Sequence, residues 1–568
     1  MAFKSRLNHI DAIYDGRRES PIESRTTLIR TYYKTLICRL LSGTCLFLFV
    51  FCLSSTGGLA AQATATAKQP QAEPRLSRKE ADELFRSLDE IFRFASEDTG
   101  LPIRRIVKRE LSSRDQVAEN LNERMKDDED AKRLERSELV LKKFGFLPRA
   151  FDLRTYLISL MREQVAGYYN VKDKTVYLMD WIPAEQQKPV MAHELTHALQ
   201  DQNFDLKKWL AGDVEKTGDK KSPSPDQDAK DIESDEEQTA RQALVEGQGM
   251  AVLIDYLLKD SGQTVTTAPS FVEALKLNIS DGQDSPIYST APLYMRESLA
   301  FPYRYGLGFV QALLNKGGKE LAYAGALKNP PQNSRQIMEP AAYLKRENLE
   351  PLALPHMSSL LGKNYERCDV GSVGEFDVMV LLKQFTSEKL AEQLSSEWRG
   401  GAYYAALKHE TEEAQSSAEK DSTKGKAQKK EAEPATTKSV ALLYLSRWSS
   451  PDAAQKFAKA YASMLLSRYR FADAEQIKAK DVNQGKDEKG ANDTAETKSG
   501  QDVNTDNAVK ADHALEHPIP VHWMTDEGVV SIEQQGNTVL VLESFDPKSQ
   551  LEISKAVWET ATAKIAKN

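Results

Sequence analysis

The run Val190-Met191-Ala192-His193-Glu194-Leu195-Thr196-His197-Ala198-Leu199-Gln200-Asp201 sets two histidines four residues apart with a glutamate between them. On a helix, residues four apart share a face, so both imidazoles can reach one cation while Glu194 stands beside them, within reach of a metal-bound water. Val190, Met191, Leu195, Ala198 and Leu199 give that helix an apolar side to bury. Zinc suits such a set: three protein donors, with a fourth position left for water. The expected third donor is Glu246, in Ala243-Leu244-Val245-Glu246-Gly247-Gln248-Gly249-Met250-Ala251 on a second helix. Gly247 and Gly249 cost helix propensity, which is tolerable where another element must come close. Glu233, Glu236 and Glu237 are rival donors, but they stand in a charged stretch and read as solvated.

The elements around the motif follow from periodicity. Val165 to Tyr169 and Thr175 to Met179 are rich in β-formers and flank Asn170, Lys172, Asp173 and Lys174, which predicts a β-hairpin. Pro189 is expected at an early position of the motif helix, where its missing N–H costs nothing. Residues 212 to 237 hold almost no apolar side chain and predict a surface excursion, with helix resuming over 238 to 258. A helix is also expected over 306 to 314, and Asn329-Pro330-Pro331 marks a turn. Upstream, Ser77 and Glu80 have capping-box spacing and Leu84, Leu88, Ile91 and Phe92 recur at helical intervals. A charged helix is expected over 115 to 144.

The last third reads as an α/β unit. Strands are expected at 402 to 408, 439 to 445, 528 to 534 and 538 to 543, with helices over 451 to 468 and 547 to 565. Two inserts, 411 to 437 and 480 to 510, carry too little apolar surface to offset ordering entropy and read as disordered. His513, His517 and His522 form a second histidine group, but Pro518 disfavours the helix that would bring His513 and His517 onto one face.

Composition excludes some functions. With 40% hydrophobic and 28% charged residues the chain is globular, and a net charge of -8 gives no electrostatic case for nucleic acid. Basic residues before the apolar run Leu46 to Leu53, then small residues and Ala61-Gln62-Ala63, predict a secretory signal or membrane anchor over 1 to 63. Residues 64 to 76 read as a spacer. Three of the four cysteines fall within 1 to 63, so a processed chain keeps Cys368 alone and no internal disulfide.

With Asp201, the motif His193-Glu194-Leu195-Thr196-His197-Ala198 resembles the active-site helix of thermolysin-like gluzincins, in which a Glu on a following helix completes the zinc site. The hairpin resembles the zincin edge strand along which substrate lies. The wider text, from Ala166-Gly167-Tyr168-Tyr169 through Glu246-Gly247 to Pro302-Tyr303-Arg304 and Asn329-Pro330-Pro331, is similar to a group of exported bacterial metallopeptidase-like proteins. The resemblance covers roughly 150 to 345 and implies a zincin-like fold there; with the elements read from periodicity, the expected organisation is α+β, with a helical segment 77 to 145, a zincin-like domain 146 to 350 and a C-terminal α/β domain 351 to 568. The resemblance implies zinc held by His193, His197 and Glu246, with Glu194 as general base. It also implies a transition-state stabiliser, for which Tyr303, Arg304 and Tyr305 are candidates. One departure stands out. Thermolysin-like enzymes carry an acid four residues after the ligand Glu, and here that position is Met250, with Asp255 the nearest downstream acid. The expected function is hydrolysis of peptide or protein substrates in the cell envelope or outside it. Its rivals are a non-proteolytic zinc-binding envelope protein and an interaction protein whose C-terminal domain carries the function.

Overall fold

The computed structural model describes residues 75–117, 119, 128–164, 166–212, 225–281, 285–409, 435–470, 472–475 and 521–565. The expected signal or anchor, the insert at 480 to 510, the insert at 411 to 437 through residue 434, His513 and His517 lie outside them. Among the described residues no helix is long and apolar enough to cross a membrane.

The protein is mixed helix and strand, of the α+β class. Helix α1 (Arg78–Thr99) starts at the predicted capping box: the Glu80 amide donates to the Ser77 hydroxyl and the Ser77 amide to the Glu80 carboxylate. It ends on Gly100, whose φ of 70° suits a residue without Cβ. Leu84, Leu88, Ile91, Phe92 and Ala95 form its buried stripe. Strand β1 (Lys108–Ser112) follows, then α2 (Asp128–Phe144) and α3 (Leu153–Gln164). The predicted hairpin is present as β2 (Gly167–Asn170) antiparallel to β3 (Thr175–Met179), with Lys174 at φ 61° in the turn. Unexpectedly, β1 pairs parallel with β3, giving a three-stranded sheet in the order β1-β3-β2 with β2 at an edge.

Helix α4 (Ala184–Phe204) carries the histidine motif. Pro189 is its sixth residue rather than an early one, so the Glu185 carbonyl has no N–H four residues on to accept from. Gln187 joins helix to sheet, accepting from the Met179 amide at 2.9 Å and donating to the Met179 and Ile182 carbonyls.

The excursion expected over 212 to 237 is corrected from Pro225 onward. Helix α5 (Pro225–Leu258) is one rod of 34 residues. Its acids find partners far along the chain. Asp231 pairs with Arg367 at 3.0 Å, Asp235 accepts the Ser372 amide at 3.1 Å, and Glu236 accepts the Ser334 amide and hydroxyl at 2.9 and 2.6 Å. Partnered in this way, they are buried rather than solvated. Helix α6 (Leu293–Glu320) is longer than the helix expected at 306 to 314, includes Pro302 and is interrupted by a kink at Gly317 and Gly318, where the backbone leaves helical geometry. It crosses α5 with its backbone in direct contact. A Cβ on Gly247 would strike the Gly306 carbonyl, and one on Gly306 the Ala243 carbonyl.

Helix α7 (Ser334–Met338) leads to β4 (Tyr365–Ser372), α8 (Glu375–Phe385), β5 (Trp398–Lys408), β6 (Val440–Trp448) and α9 (Pro451–Arg468). The remaining elements are β7 (Ala472–Glu475), β8 (Val521–Thr525), β9 (Gly528–Gln535), β10 (Thr538–Glu543) and α10 (Pro547–Ile565). The four predicted strands form the middle of a seven-stranded antiparallel sheet, ordered β4-β5-β6-β10-β9-β8-β7. His522 sits half-buried on β8. Thr437, at the end of the expected insert, is buried and donates to Glu527 at 2.7 Å.

One cluster of buried hydrophobic side chains runs from Leu84 through the motif helix to Val541. Buried charge ties α2 to the C-terminal elements: the Lys143 ammonium at the end of α2 donates to Glu527 at 2.9 Å and to Ser544 Oγ at 2.8 Å, while within those elements Arg468 of α9 donates to Glu543 of β10 at 2.8 Å.

Candidate metal centre

Helices α4 and α5 bring three donors to one point. His193 Nε2 lies 3.1 Å from Glu246 Oε2 and 2.9 Å from His197 Nε2, and His197 Nε2 lies 3.4 Å from Glu246 Oε2. The two imidazoles meet edge to face at 85° with centroids 4.5 Å apart, so both Nε2 atoms point at the same space. These three residues lie close enough together to hold a metal ion. No other such group occurs among the described residues. The rival acids are elsewhere: Glu236 is bound to Ser334, Glu237 lies 3.5 Å from Arg241, and Glu233 is exposed.

Local packing fixes each donor. Gly249, one turn beyond Glu246, faces the His193 ring; a Cβ there would sit 2.7 Å from Cε1 and 2.8 Å from Nδ1. Gln242, one turn before Glu246, donates to Glu246 Oε1 at 2.7 Å and so turns Oε2 toward the histidines. His197 Nδ1 meets Gln200 Oε1 at 2.8 Å. Motif reading passed over both glutamines, although each stands three or four residues from a donor on the same helix, a spacing that puts side chains in reach.

Glu194 does not join the donor set. Its Oε2 accepts the Tyr169 amide of the edge strand β2 at 2.7 Å, and its Oε1 is buried with no hydrogen-bond partner. Tyr169 also donates its hydroxyl to Asp201 Oδ2 at 2.8 Å, and Lys174 bridges both Asp201 oxygens at 2.7 and 2.9 Å. Glu194 and Asp201, two turns apart on α4, therefore lock the hairpin against the motif helix.

Burial sets the electrostatics. It pushes Glu194 up to about 7, with the Glu246 charge adding to the effect. Burial likewise drops His193 to about 4, helped by the positive charge of His197. For His197 burial works the other way from the outcome: the Glu246 carboxylate outweighs it and raises the imidazole to about 9. Glu246 falls to about 2, because His197 and the hydrogen bonds from both histidines overcome its burial. The ion-free site thus pairs an imidazolium with a carboxylate, and a cation entering it displaces the His197 proton.

The other predicted residues separate. Tyr303 is buried with its ring centroid 6.4 Å from that of His193. Arg304 points to Glu297 at 3.8 Å, and Tyr305 meets Met379 Sδ through its hydroxyl at 3.4 Å. Asp255 accepts the Val265 amide at 2.5 Å and is raised to about 7 by burial and by Asp98, so it belongs to a different cluster. Compared with known proteins, the chain matches no family model, no curated protein and no solved structure, which leaves this geometry to carry the functional reading.

Proposed function

We propose that the chain is an exported zinc-dependent peptidase of the gluzincin type, acting on peptide or protein substrates. The observation that carries this reading is a buried carboxylate with a free oxygen set beside a three-donor cluster. Donors about 2 Å from a tetrahedral zinc lie roughly 3.3 Å from one another. The separations here, 2.9, 3.1 and 3.4 Å, fit that spacing, and two imidazoles with one carboxylate fit zinc's preferences.

When bound, zinc supplies a Lewis acid that acidifies a coordinated water and polarises a substrate carbonyl. The chain's own contribution is proton transfer and positioning. The Tyr169 amide holds Glu194 Oε2, so Oε1 is the atom that receives the proton of the nucleophilic water and returns it to the leaving amine. Tyr303, packed beside His193, is the candidate for contact with the developing oxyanion. Export rests on the basic, apolar and small-residue order of positions 1 to 63.

Paired substitutions test the roles. Glu194→Gln should retain zinc while hydrolysis falls by about a hundredfold to ten-thousandfold. Glu246→Gln should lose zinc affinity, with activity partly restored by excess metal. If Glu194→Gln loses the metal and Glu246→Gln keeps it, the assignments are wrong.

A second reading has its own observation. His193, Glu194 and Glu246 are 0%, 2% and 4% exposed, and of the four only His197 is more than marginally exposed. So closed a site favours a zinc-binding protein without proteolysis, in which the metal joins two helices. Unchanged peptide hydrolysis in Glu194→Gln, with zinc present, would support that reading.

A further inference from the structure

The hydrogen bonds behind His197 form a chain with only one consistent direction. The turn Leu321–Gly325, wound as a single π-helical turn, presents the Ala322 and Tyr323 carbonyls to Gln248. Carbonyls can only accept, so Gln248 must aim its NH2 at them, at 2.7 and 3.2 Å. Its Oε1 is then the acceptor for Gln200 Nε2 at 2.8 Å, and the Val245 carbonyl takes the second Gln200 proton at 3.2 Å. With both protons of its NH2 committed, Gln200 offers His197 only Oε1, at 2.8 Å from Nδ1. An acceptor there requires the proton on Nδ1 and leaves the Nε2 lone pair for the metal. Gln200 and Gln248 are both fully buried, so solvent cannot supply an alternative partner.

We propose that Gln200 and Gln248 are positioning residues that fix the metal-binding tautomer of His197, and that the direction of the chain is set jointly by the Val245 carbonyl and, through Gln248, by the π turn at 321 to 325. The proposal rests on the metal reading above. It extends that reading to residues outside the donor set: Gln248 hydrogen-bonds to Gln200 and to carbonyls more than seventy residues further along the chain rather than to a histidine. A hydrogen bond of this kind behind a metal ligand is worth about tenfold to a hundredfold in affinity. Glycines and short turns near an ion are commonly explained by packing alone; here the turn has a directional chemical role.

The test uses the full chain and zinc, with affinity measured by competition against a chelator and the His197 Nδ1 proton followed by nitrogen-resolved NMR. Gln200→Leu and Gln248→Leu should each weaken zinc binding by about tenfold to a hundredfold. Gln200→Glu keeps an acceptor for Nδ1–H and should recover most of the loss in Gln200→Leu, which a purely structural role would not produce. Gln248→Leu should also shift or broaden the Nδ1 proton although residue 248 forms its hydrogen bonds with Gln200 and the 322 and 323 carbonyls. Zinc affinity within twofold of the parent and an unmoved proton in Gln248→Leu would overturn the proposal. If Gln248→Leu does not fold, the Gln200 pair decides: equal affinities for Leu and Glu refute it. Should the parent chain itself bind no zinc, the metal reading fails instead, and the effect of Gln248→Leu on the chemical shift of the His197 Nδ1 proton decides separately whether the two glutamines are coupled to the ring.

Discussion

Gly249→Ala is the smallest change aimed at the metal centre. The added Cβ would stand 2.7, 2.8 and 2.9 Å from Cε1, Nδ1 and Nε2 of His193, where ordinary contacts begin near 3.4 Å. Helix α5 cannot retreat, because two residues earlier its backbone rests on α6 at Gly247 and Gly306. The ring must yield, and its Nε2 is one of the three donors. Overpacking of this kind costs about 1 to 3 kcal/mol. Felt mainly when His193 is held on the ion, that cost becomes a loss of roughly fivefold to 150-fold in zinc affinity. The folded chain without metal should suffer less, since replacing Gly by Ala within a helix returns up to about 1 kcal/mol. Chelator competition and thermal melting of the metal-free protein therefore should diverge: affinity falls while the melting temperature stays level or drops only slightly. Zinc affinity within twofold of the parent would refute the argument that Gly249 exists to admit the imidazole.

Three further outcomes follow from the same geometry. Tyr303→Phe should keep stoichiometric zinc and lower the hydrolysis rate, whereas Arg304→Ala, directed at Glu297, should leave both unchanged; metal analysis beside a peptide assay decides between them. Asp201→Ala strands the Tyr169 hydroxyl and Lys174, so denaturant unfolding should show a loss of about 1 to 3 kcal/mol. Burial opposes the Glu543 charge, but Arg468 and Lys143 hold its carboxyl below the usual value of 4.5. A folded value below the unfolded one adds stability above pH 4.5 that is lost as pH falls toward the folded value. The melting temperature should accordingly drop between pH 6 and pH 3, and a flat profile would remove Glu543 from the account.

The histidine pair and Glu246 were legible because helical spacing is local: the period that puts His193 beside His197 is written in four residues. Glu246 needed only a second amphipathic helix with an acid on its inner face. The acids upstream of it were not legible. Asp231, Asp235 and Glu236 resemble a solvated run until Arg367, Ser372 and Ser334, about a hundred residues or more away, supply their partners. Strand β1 escaped notice for a related reason, since Lys108 to Ser112 is short and charged and becomes a strand only by pairing with β3. The helix expected over 306 to 314 was too short, since the start of α6 at Leu293 and its passage through Pro302 depend on packing against α5 rather than on local spacing. Tyr303 was among three neighbouring candidates; helical geometry, which sends adjacent side chains in different directions, left it alone beside His193.

Helix α5 joins the metal centre to the C-terminal sheet as a strut joins two walls. At 1.5 Å per residue its 34 residues span about 51 Å, and Glu246 lies on the same rod as Asp235, about 16 Å from it. Asp235 is fastened to the end of β4 and Asp231 to Arg367 on the same strand, while Glu246 faces histidines belonging to the other half. A stiff rod converts any loosening at the sheet into displacement or rotation of the carboxylate. Truncating the chain before residue 365 would leave every donor in place in the sequence yet free the strut at one end. Zinc affinity then becomes a gauge of an antiparallel sheet that contributes no atom to the ion.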